Sequence, residues 1–329
     1  MNIAIMSIFQ NHRKERMGKT EKQDFFCRKH RQLLYSPGKW HVISTLFPPD
    51  HEALENHVHR QWLQKNTDSH PTKEMLIVLE GNSLNSLNGL IYPATPGTIF
   101  LFDSYENHDR NYSPATGYSV HLWIYFLKHR AIGRILHINK GKLDNAGKGE
   151  LFLESGRICD LVYQEWGNMK DSSLDSDLKR RKLLSLLSLL FIGMIEHDIS
   201  CNNAVSGDEN RQGKIIHAIH QHICDSSGKG MTVEKLARIA GYSKFHFFRL
   251  FKKHTGQNVL DCINDSRLRK TREMLKTGFL HKQISSELGF SCPSAFSNWY
   301  VRHKDSLRVN GNIPPSLTLR LVQNHSAGV

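Results

Sequence analysis

Residues 232–256 of the sequence read TVEKLARIAGYSKFHFFRLFKKHTG, and this segment gives the clearest indication of how the C-terminal part of the chain folds. From Val233 to Ala240 its apolar residues recur at the spacing of one helical face. Thr232 stands where a side-chain oxygen can cap this helix, and Ser243 stands in the same position before a second one. Gly241 lies between the two helices and interrupts the pattern. Helix, short glycine-containing turn and helix together predict a helix-turn-helix unit.

The second helix of this unit has two distinct faces. Phe247, Leu250 and Phe251 follow the i, i+3, i+4 spacing of a buried face. The side chains expected to point outward are Lys244, Phe245, Phe248, Arg249 and Lys252. In a helix-turn-helix the second helix enters the major groove of DNA, where an arginine can donate two parallel hydrogen bonds to guanine. The outward face therefore predicts double-stranded DNA as the partner.

The same arrangement recurs about 48 positions later. Ile284 and Leu288 form an inner face, a glycine-containing turn follows, and Phe296, Trp299 and Tyr300 repeat the apolar triplet. A long helix is expected between the two copies, with four basic residues pointing outward: Arg267, Arg269, Lys270 and Arg272. Two such units on one stiff helix could contact two successive major grooves from a single chain.

The charge of the chain is concentrated in the same region. The 329 residues include 44 Lys and Arg against 31 Asp and Glu, a net charge of +13. Residues 211–329 hold 19 of the basic and 7 of the acidic residues, a net charge of +12, which leaves +1 for residues 1–210. A basic domain joined to a nearly neutral remainder indicates a polyanionic partner for one part of the chain only.

Residues 232–256, with Arg267–Lys270 and residues 284–300, closely resemble the AraC/XylS transcription regulators, and the resemblance extends over about residues 214–310. It implies that the outward residues of both second helices touch bases. In the first unit these are Lys244, Phe245, Phe248 and Arg249, and in the second unit they are Ser294, Ser297 and Asn298. Lys252 is expected to contact phosphate instead.

The second unit departs from the family pattern at several positions. Asp305 and Arg308 stand where the family usually has a Gly-x-x-Pro segment, His281 replaces an aliphatic residue, and Asn298 replaces a common arginine. We therefore expect the second unit mainly to contact phosphate and to leave base specificity to the first.

The N-terminal half has a different period. From Trp40 to Tyr125, short apolar runs alternate with turn residues, which predicts a small β-barrel or sandwich. His70, Glu74 and Gly81 have the spacing of the first motif of the cupin barrel, and His108 stands where its second motif ends. This resemblance extends over about residues 40–127 and matches the sensor domain common in AraC/XylS regulators.

Two interpretations of this motif remain open. Metal-binding cupins use three histidines and a glutamate, and Asp68 stands here in place of the first histidine. The set Asp68, His70, Glu74 and His108 could hold a borderline divalent metal. Alternatively, His70, Glu74 and His108 line a pocket for a small effector such as a sugar. The resemblance implies metal-free sensing in most members, so we expect no cofactor. Aromatic residues that could face a sugar, or belong to the core or rim, are Trp40, Trp62, Tyr92, Phe102, Tyr105 and Trp123.

A helical segment is expected between the two halves, starting with Leu151. Six leucines stand between Leu183 and Leu190, more than one helical face requires. Such a helix buries either against two neighbours or against one neighbour and a partner chain, and we predict a homodimer.

The fold class expected is α+β, with a cupin-like barrel and helical dimerisation segment followed by an all-α domain of two helix-turn-helix units joined by a long helix. The predicted organisation is an N-terminal tail (1–35), a cupin-like sensing domain (36–138), a helical dimerisation segment (139–200), a linker (201–213), an AraC-type DNA-binding domain (214–315) and a C-terminal tail (316–329).

Other sequence features indicate the cellular compartment in which the protein is expected. No apolar run reaches the ~18 residues that a membrane span requires, and residues 1–9 lack the basic-then-apolar order of a signal peptide. The six cysteines are scattered without a C-x-x-C pair, which favours a reducing compartment. A cytoplasmic protein of the bacterial regulator type is expected.

Three functions fit these features. The first is a sequence-specific, effector-controlled transcription regulator, with contacts to the transcription machinery as a further expectation. The alternative is a metal-dependent cupin enzyme fused to a DNA-tethering domain. The third is a non-specific nucleic-acid-binding protein, whose affinity would be the same for any duplex and fall steeply with salt. Nucleophile–base and phosphate-loop motifs are absent from the sequence, so the chain is not expected to be an enzyme.

Overall fold

The computed structural model describes residues 25–127, 130–153, 156–203 and 208–308. Its N-terminal half is built on two sheets, with strand order β1-β6-β3-β8-β9-β10 in one and β2-β7-β4-β5 in the other. The strands are β1 (His41–Ile43), β2 (Thr67–Asp68), β3 (Lys73–Gly81), β4 (Ser83–Leu87), β5 (Leu90–Ala94), β6 (Thr98–Phe102), β7 (His108–Asp109), β8 (Ser119–Phe126), β9 (Ala131–Asn139) and β10 (Lys142–Leu153). Neighbouring strands are antiparallel except for β1 and β6, which are parallel.

The position of strand β3, with both of its faces covered, explains why its sequence is a continuous apolar run. Leu76 and Val78 belong to the cluster inside the two sheets, whereas Met75, Ile77 and Leu79 belong to a second cluster on the outer face. Successive side chains of a strand point to opposite faces, and here both faces are covered. The sheet that contains β3 is therefore covered by the barrel core on its inner face and by helices on its outer face.

The helices of this half are α1 (Arg28–Leu34), α2 (His57–Asn66), α3 (Gly156–Asp171) and α4 (Ser176–Asn203), and Pro37–Lys39 forms a short 3-10 turn. Helix α4 buries Leu183, Leu186, Leu187, Leu190, Phe191, Met194 and Ile195 in the outer cluster, against residues of α3 and the sheet. By length and composition alone, residues Ser176–Ser200 could cross a membrane, a property that core helices share.

Three predicted boundaries need correction. Residues 25–35, assigned to a tail, include α1, and Phe26 and Leu34 are buried in the outer cluster. The segment 139–200 is not wholly helical, because β10 pairs with β9 and so satisfies its backbone groups in the sheet, with Leu151 opposite Gly133. The linker 201–213 is helical at 201–203 and at 208–213. Residues 1–24, 204–207 and 309–329 lie outside the described ranges.

The C-terminal half is helical, as predicted, and the α+β class is confirmed. Its helices are α5 (Asp208–Asp225), α6 (Val233–Ala240), α7 (Lys244–Thr255), α8 (Val259–Lys276), α9 (His281–Glu287) and α10 (Pro293–Arg308). Helices α6 and α7 form the first unit, α9 and α10 form the second, and α8 joins them. The first unit shares one hydrophobic cluster with the barrel interior. The second has a core of its own, made of Leu268, Met274, Leu275, Ile284, Leu288, Phe296, Trp299 and Tyr300.

Candidate nucleic-acid interface and ligand pocket

The turn of the first unit is fixed by the residues that the sequence singled out. The Thr232 side chain accepts a hydrogen bond from the Lys235 amide, and the Ser243 side chain accepts one from the His246 amide, both at 3.3 Å. Gly241 adopts a left-handed backbone conformation with φ of 78°. A side chain there would strain the backbone, and glycine avoids that cost. The turn therefore holds α6 and α7 at a defined angle.

One face of α7 is free for a partner. Lys244, Arg249 and Lys252 are exposed, and Phe245 is 81% exposed, an unusual environment for a large aromatic ring. The opposite face is buried, as predicted, through Phe247, Leu250 and Phe251. Because the helix is anchored on one side only, its cationic and aromatic side can meet a groove.

Two predicted members of this face are less free than expected. Phe248 is half-buried and packs against the hydrophobic cluster, so it projects outward less than expected, and its contact with bases stays a prediction. Phe248 lies at the border between the buried and the exposed face of α7, so its ring packs against the core of the unit. Lys244 Nζ lies 2.5 Å from Glu234 Oε1 of α6. This lysine must therefore give up its ion pair with Glu234 before it can contact a phosphate or a base.

The second unit presents a polar surface. Ser294 and Asn298 are exposed on α10, whereas Ser297 is half-buried. Trp299 Nε1 donates a hydrogen bond of 2.9 Å to Asn264 Oδ1 of α8, which fixes α10 on the connecting helix. His281 takes the place of an aliphatic residue by packing its ring edge-on against Phe296, at 5.3 Å between ring centroids. Burial lowers the pKa of His281, which favours the neutral ring that this position requires.

The connecting helix holds the two units together. Arg267 was expected to point outward, but it is half-buried. Its Nε donates to the Gly228 carbonyl oxygen at 3.2 Å, and its guanidinium lies 5.0 Å from the centre of the Phe290 ring. Both contacts engage the Arg267 guanidinium inside the DNA-binding half. Arg267 therefore helps to position the two helix-turn-helix units.

Three of the four predicted barrel residues meet in a buried cluster, which we call the barrel triad: His70, Glu74 and His108. Their relative exposures are 4%, 3% and 1%. His70 Nε2 lies 2.9 Å from one carboxylate oxygen of Glu74, and His108 Nε2 lies 3.6 Å from the other. Burial raises the pKa of Glu74, but the two imidazoles outweigh this effect and hold the pKa below its usual value.

The outer nitrogens of the triad are fixed by the backbone. Nδ1 of His70 lies 3.1 Å from the Thr72 carbonyl oxygen, and Nδ1 of His108 lies 3.0 Å from that of Glu106. Because a carbonyl oxygen only accepts, both Nδ1 atoms carry protons and both Nε2 atoms face Glu74. Metal-bound histidines have this arrangement of ring nitrogens. Two imidazoles and a carboxylate therefore form a donor set that could hold a divalent metal.

Asp68 is not part of this set, contrary to the sequence expectation. Its carboxylate accepts a hydrogen bond of 2.7 Å from Arg238 Nη2 of α6, and Lys235 Nζ lies 3.8 Å away. Burial raises the pKa of Asp68, and the Arg238 guanidinium more than compensates, lowering the pKa to about 2. Lys235 Nζ also donates to the Ser69 carbonyl oxygen at 3.0 Å. We call these contacts between the barrel rim and α6 the rim latch.

A cavity lies between the barrel triad and the rim latch. Its enclosed volume is only about 10 Å³, room for about one water molecule, so a larger molecule would have to displace the rim side chains. Its lining residues are His70, Thr72, Glu74, Lys235, Arg238 and Ile239. Half of the lining therefore comes from the first helix of the helix-turn-helix. Sequence reasoning missed Lys235 and Arg238, because nothing in the spacing of α6 indicates that it lies across a barrel more than a hundred residues away.

The aromatic residues that the sequence offered to a sugar are mostly core. Phe102 stacks on His108 at 4.7 Å, and Trp123 stacks on Phe102 at 5.7 Å. Trp40 and Tyr92 are buried as well, whereas Tyr105 is half exposed. Side chains fill the barrel interior, and the open space lies at its mouth.

Comparison with known proteins agrees with this architecture. Residues 48–188 match the model of the AraC-like ligand-binding domain, and residues 236–307 match a helix-turn-helix domain. The HTH-type transcriptional regulator GlxA of Rhizobium meliloti is 41% identical over 68 residues, 20% of this chain. The chain spans only 21% of the length of GlxA. The multiple antibiotic resistance protein MarA of Escherichia coli is 33% identical over 96 residues, 28% of this chain and 76% of MarA.

Among solved structures, ToxT of Vibrio cholerae covers 78% of this chain and 92% of its own, at 12% identity. The TM-score is 0.22, so this likeness carries no argument.

A ligand-binding barrel joined to a helix-turn-helix domain defines the class of DNA-binding proteins with a built-in sensor. The match to three quarters of MarA narrows the class, and the chain belongs to the AraC family of transcription regulators. The resemblance found in the sequence is thereby confirmed.

Proposed function

We propose that the chain is a sequence-specific transcription regulator whose affinity for DNA is set by a small polar molecule at the barrel mouth. The observation that carries this proposal is the shared role of α6. This helix is the first helix of the DNA-binding unit and also forms half of the cavity lining. A molecule that enters the cavity therefore touches the domain that binds DNA.

The proposed reading helix is α7. Arg249 would donate a pair of hydrogen bonds to guanine, and Phe245 would contact the methyl group of thymine. Lys252 would bind phosphate, which fixes register without reading sequence. Ser294 and Asn298 of α10 would make the weaker contacts of a second unit. Phe248 would anchor α7 through the part of its ring that packs against the core, and its exposed part would face the bases beside Arg249.

The proposed switch is the rim latch. Arg238 is shared between Asp68 and the cavity, with its guanidinium 2.7 Å from the carboxylate. An effector with hydroxyl or other polar groups would compete for Arg238 and for the triad, and a sugar is one class that offers such groups. Each hydrogen bond that moves from Asp68 to the effector weakens the hold of the barrel on α6. The effector thus shifts the balance between two arrangements of the sensor and the reader.

We also propose that the protein is a cytoplasmic homodimer that contacts the transcription machinery and has no enzymatic activity. Helix α4 leaves four apolar side chains exposed on its surface, each with 39–50% of its area accessible: Leu178, Leu189, Ile192 and Ile199. Exposed apolar side chains opposite the buried face of this helix favour a partner helix at this place.

A specific observation favours the alternative, a metal-dependent cupin enzyme with a DNA-tethering domain. His108 Nε2 is buried without a hydrogen-bond partner among the described residues, although it faces the Glu74 carboxylate. A buried ring nitrogen that lies beside a carboxylate and has no hydrogen-bond partner is the arrangement expected of a metal-ligating histidine. Elemental analysis of protein purified without chelator separates the two functions. The alternative requires a stoichiometric metal that His108→Ala removes.

The proposed function is tested by gel-shift titration of the full chain on a duplex selected from a random pool. We expect tight binding to the selected duplex and much weaker binding to a scrambled duplex of the same composition. Equal affinity for both duplexes would leave only non-specific binding.

A further inference from the structure

We propose that the DNA-binding half contains a site for a thiophilic metal ion of the Zn²⁺ class, formed by His220, Cys224 and Cys262. His220 and Cys224 lie one turn apart on α5, and Cys262 lies in the first half of α8. One donor atom from each residue lies within 4.8 Å of the other two. Residues four apart on a helix share a face, so α5 presents an imidazole and a thiol together toward the thiol of α8.

The surroundings of this cluster suit an ion. Cys262 is 2% exposed, whereas His220 and Cys224 are half-buried, which leaves an entry path on one side. Arg269 Nη2 donates a hydrogen bond of 3.5 Å to Cys224 Sγ, which holds the sulfur in place. Gln257 Nε2 donates a hydrogen bond to His220 Nε2 at 3.1 Å, which fixes the plane of the ring.

The donor types select the metal. Two thiolates and an imidazole are preferred ligands of Zn²⁺, and three protein ligands leave a fourth position for water or another ligand. Oxygen-seeking ions such as Mg²⁺ and Ca²⁺ disfavour sulfur. The barrel triad contains no sulfur, which makes the two clusters spectroscopically distinct.

An ion at this place would link two structural helices. Helix α5 leads into the DNA-binding half, and α8 carries both helix-turn-helix units. Binding that requires both helices to be in place stabilises the folded domain and raises its melting temperature with metal concentration. The site thereby adds a metal-dependent step to the assembly of the DNA-binding half, independently of any effector in the barrel.

The test uses the full chain, reduced and stripped of metal, titrated with Co²⁺ as a spectroscopic substitute for Zn²⁺. We expect a near-ultraviolet sulfur-to-cobalt charge-transfer band that saturates at one ion per chain and disappears when Zn²⁺ is added. Cys224→Ser and Cys262→Ser should each abolish the band, and His220→Gln should weaken Co²⁺ binding at least about tenfold, since even outer-shell changes cost about 10–100-fold.

Two control variants keep the result specific. Cys27→Ser alters the sulfur of a different cluster, formed with His30 and Glu80, and His108→Ala alters the barrel triad. Both variants should retain the band. The proposal is overturned if the unaltered chain gives no sulfur band, or if the band survives in Cys224→Ser and Cys262→Ser. It is also overturned if Cys27→Ser removes the band. Circular dichroism of each variant confirms that the helices remain folded.

Discussion

The rim latch gives a prediction whose size follows from the structure. Asp68→Asn keeps the shape of the side chain and removes the charge that faces Arg238 and Lys235. In the folded chain the pKa of Asp68 falls from its usual 3.8 to about 2. At ~1.36 kcal/mol for each pKa unit, the carboxylate stabilises the folded state by about 2 kcal/mol at neutral pH. The variant should therefore unfold at a lower urea concentration by the equivalent of about 2 kcal/mol.

The pH dependence identifies the cause. A carboxyl whose pKa is lowered by folding stabilises the protein fully above its unfolded pKa, and this stabilisation disappears as the pH falls through the folded pKa. The difference between the unaltered chain and Asp68→Asn should therefore be largest near pH 7. It should fall to about half at pH 3 and to a few tenths of a kcal/mol near pH 2.

The assay is urea unfolding followed by circular dichroism at several pH values, with Asp171→Asn as the matched control. Asp171 is exposed at the end of α3, so its substitution should move the midpoint little at any pH. The reasoning is refuted if Asp68→Asn unfolds at the same urea concentration as the control at pH 7. A difference that stays constant down to pH 3 would show that the charge of Asp68 is not the cause.

Three further predictions concern the DNA-binding surface, the core and the dimer. Arg249→Ala should cost about 1–3 kcal/mol of specific DNA affinity and relax the preference at one base position, as measured by binding to single-base variants of the selected duplex. Lys252→Ala should instead weaken binding to all duplexes alike and reduce the salt dependence by about one phosphate contact, so equal effects of the two variants would contradict the assignment. Phe248→Ala should lower the free energy of unfolding, and unchanged stability would contradict its role as an anchor of α7. Leu189→Asp should convert a dimer to a monomer in light scattering, and a monomer for the unaltered chain at micromolar concentration would remove the basis of this prediction.

The helix-turn-helix could be predicted because its determinants are local. Thr232 and Ser243 cap helices that begin within one residue of them, and Gly241 terminates a helix by its own backbone preference. Each determinant acts over at most one helical turn, so it is visible in a short stretch of sequence. The apolar triplets of α7 and α10 were predicted for the same reason.

The rest depends on contacts between distant parts of the chain. Leu151 belongs to a strand because β9 offers it a partner, and the helical spacing around it carries no trace of that partner. Asp68 lies beside the triad in sequence but faces Arg238, 170 positions away. The barrel triad itself was found because the spacing of its residues resembles the cupin motif. Its partners Lys235 and Arg238 come from another domain and leave no such pattern.

The proposal that most needs a direct test is that α7 reads the DNA sequence. The most direct measurement is selection of preferred sites from a random duplex pool, carried out with the unaltered chain and with Arg249→Ala. We expect the unaltered chain to enrich a defined motif and Arg249→Ala to lose the preference at one position of that motif. A pool that remains random with the unaltered chain, or a motif that Arg249→Ala enriches unchanged, would contradict the account.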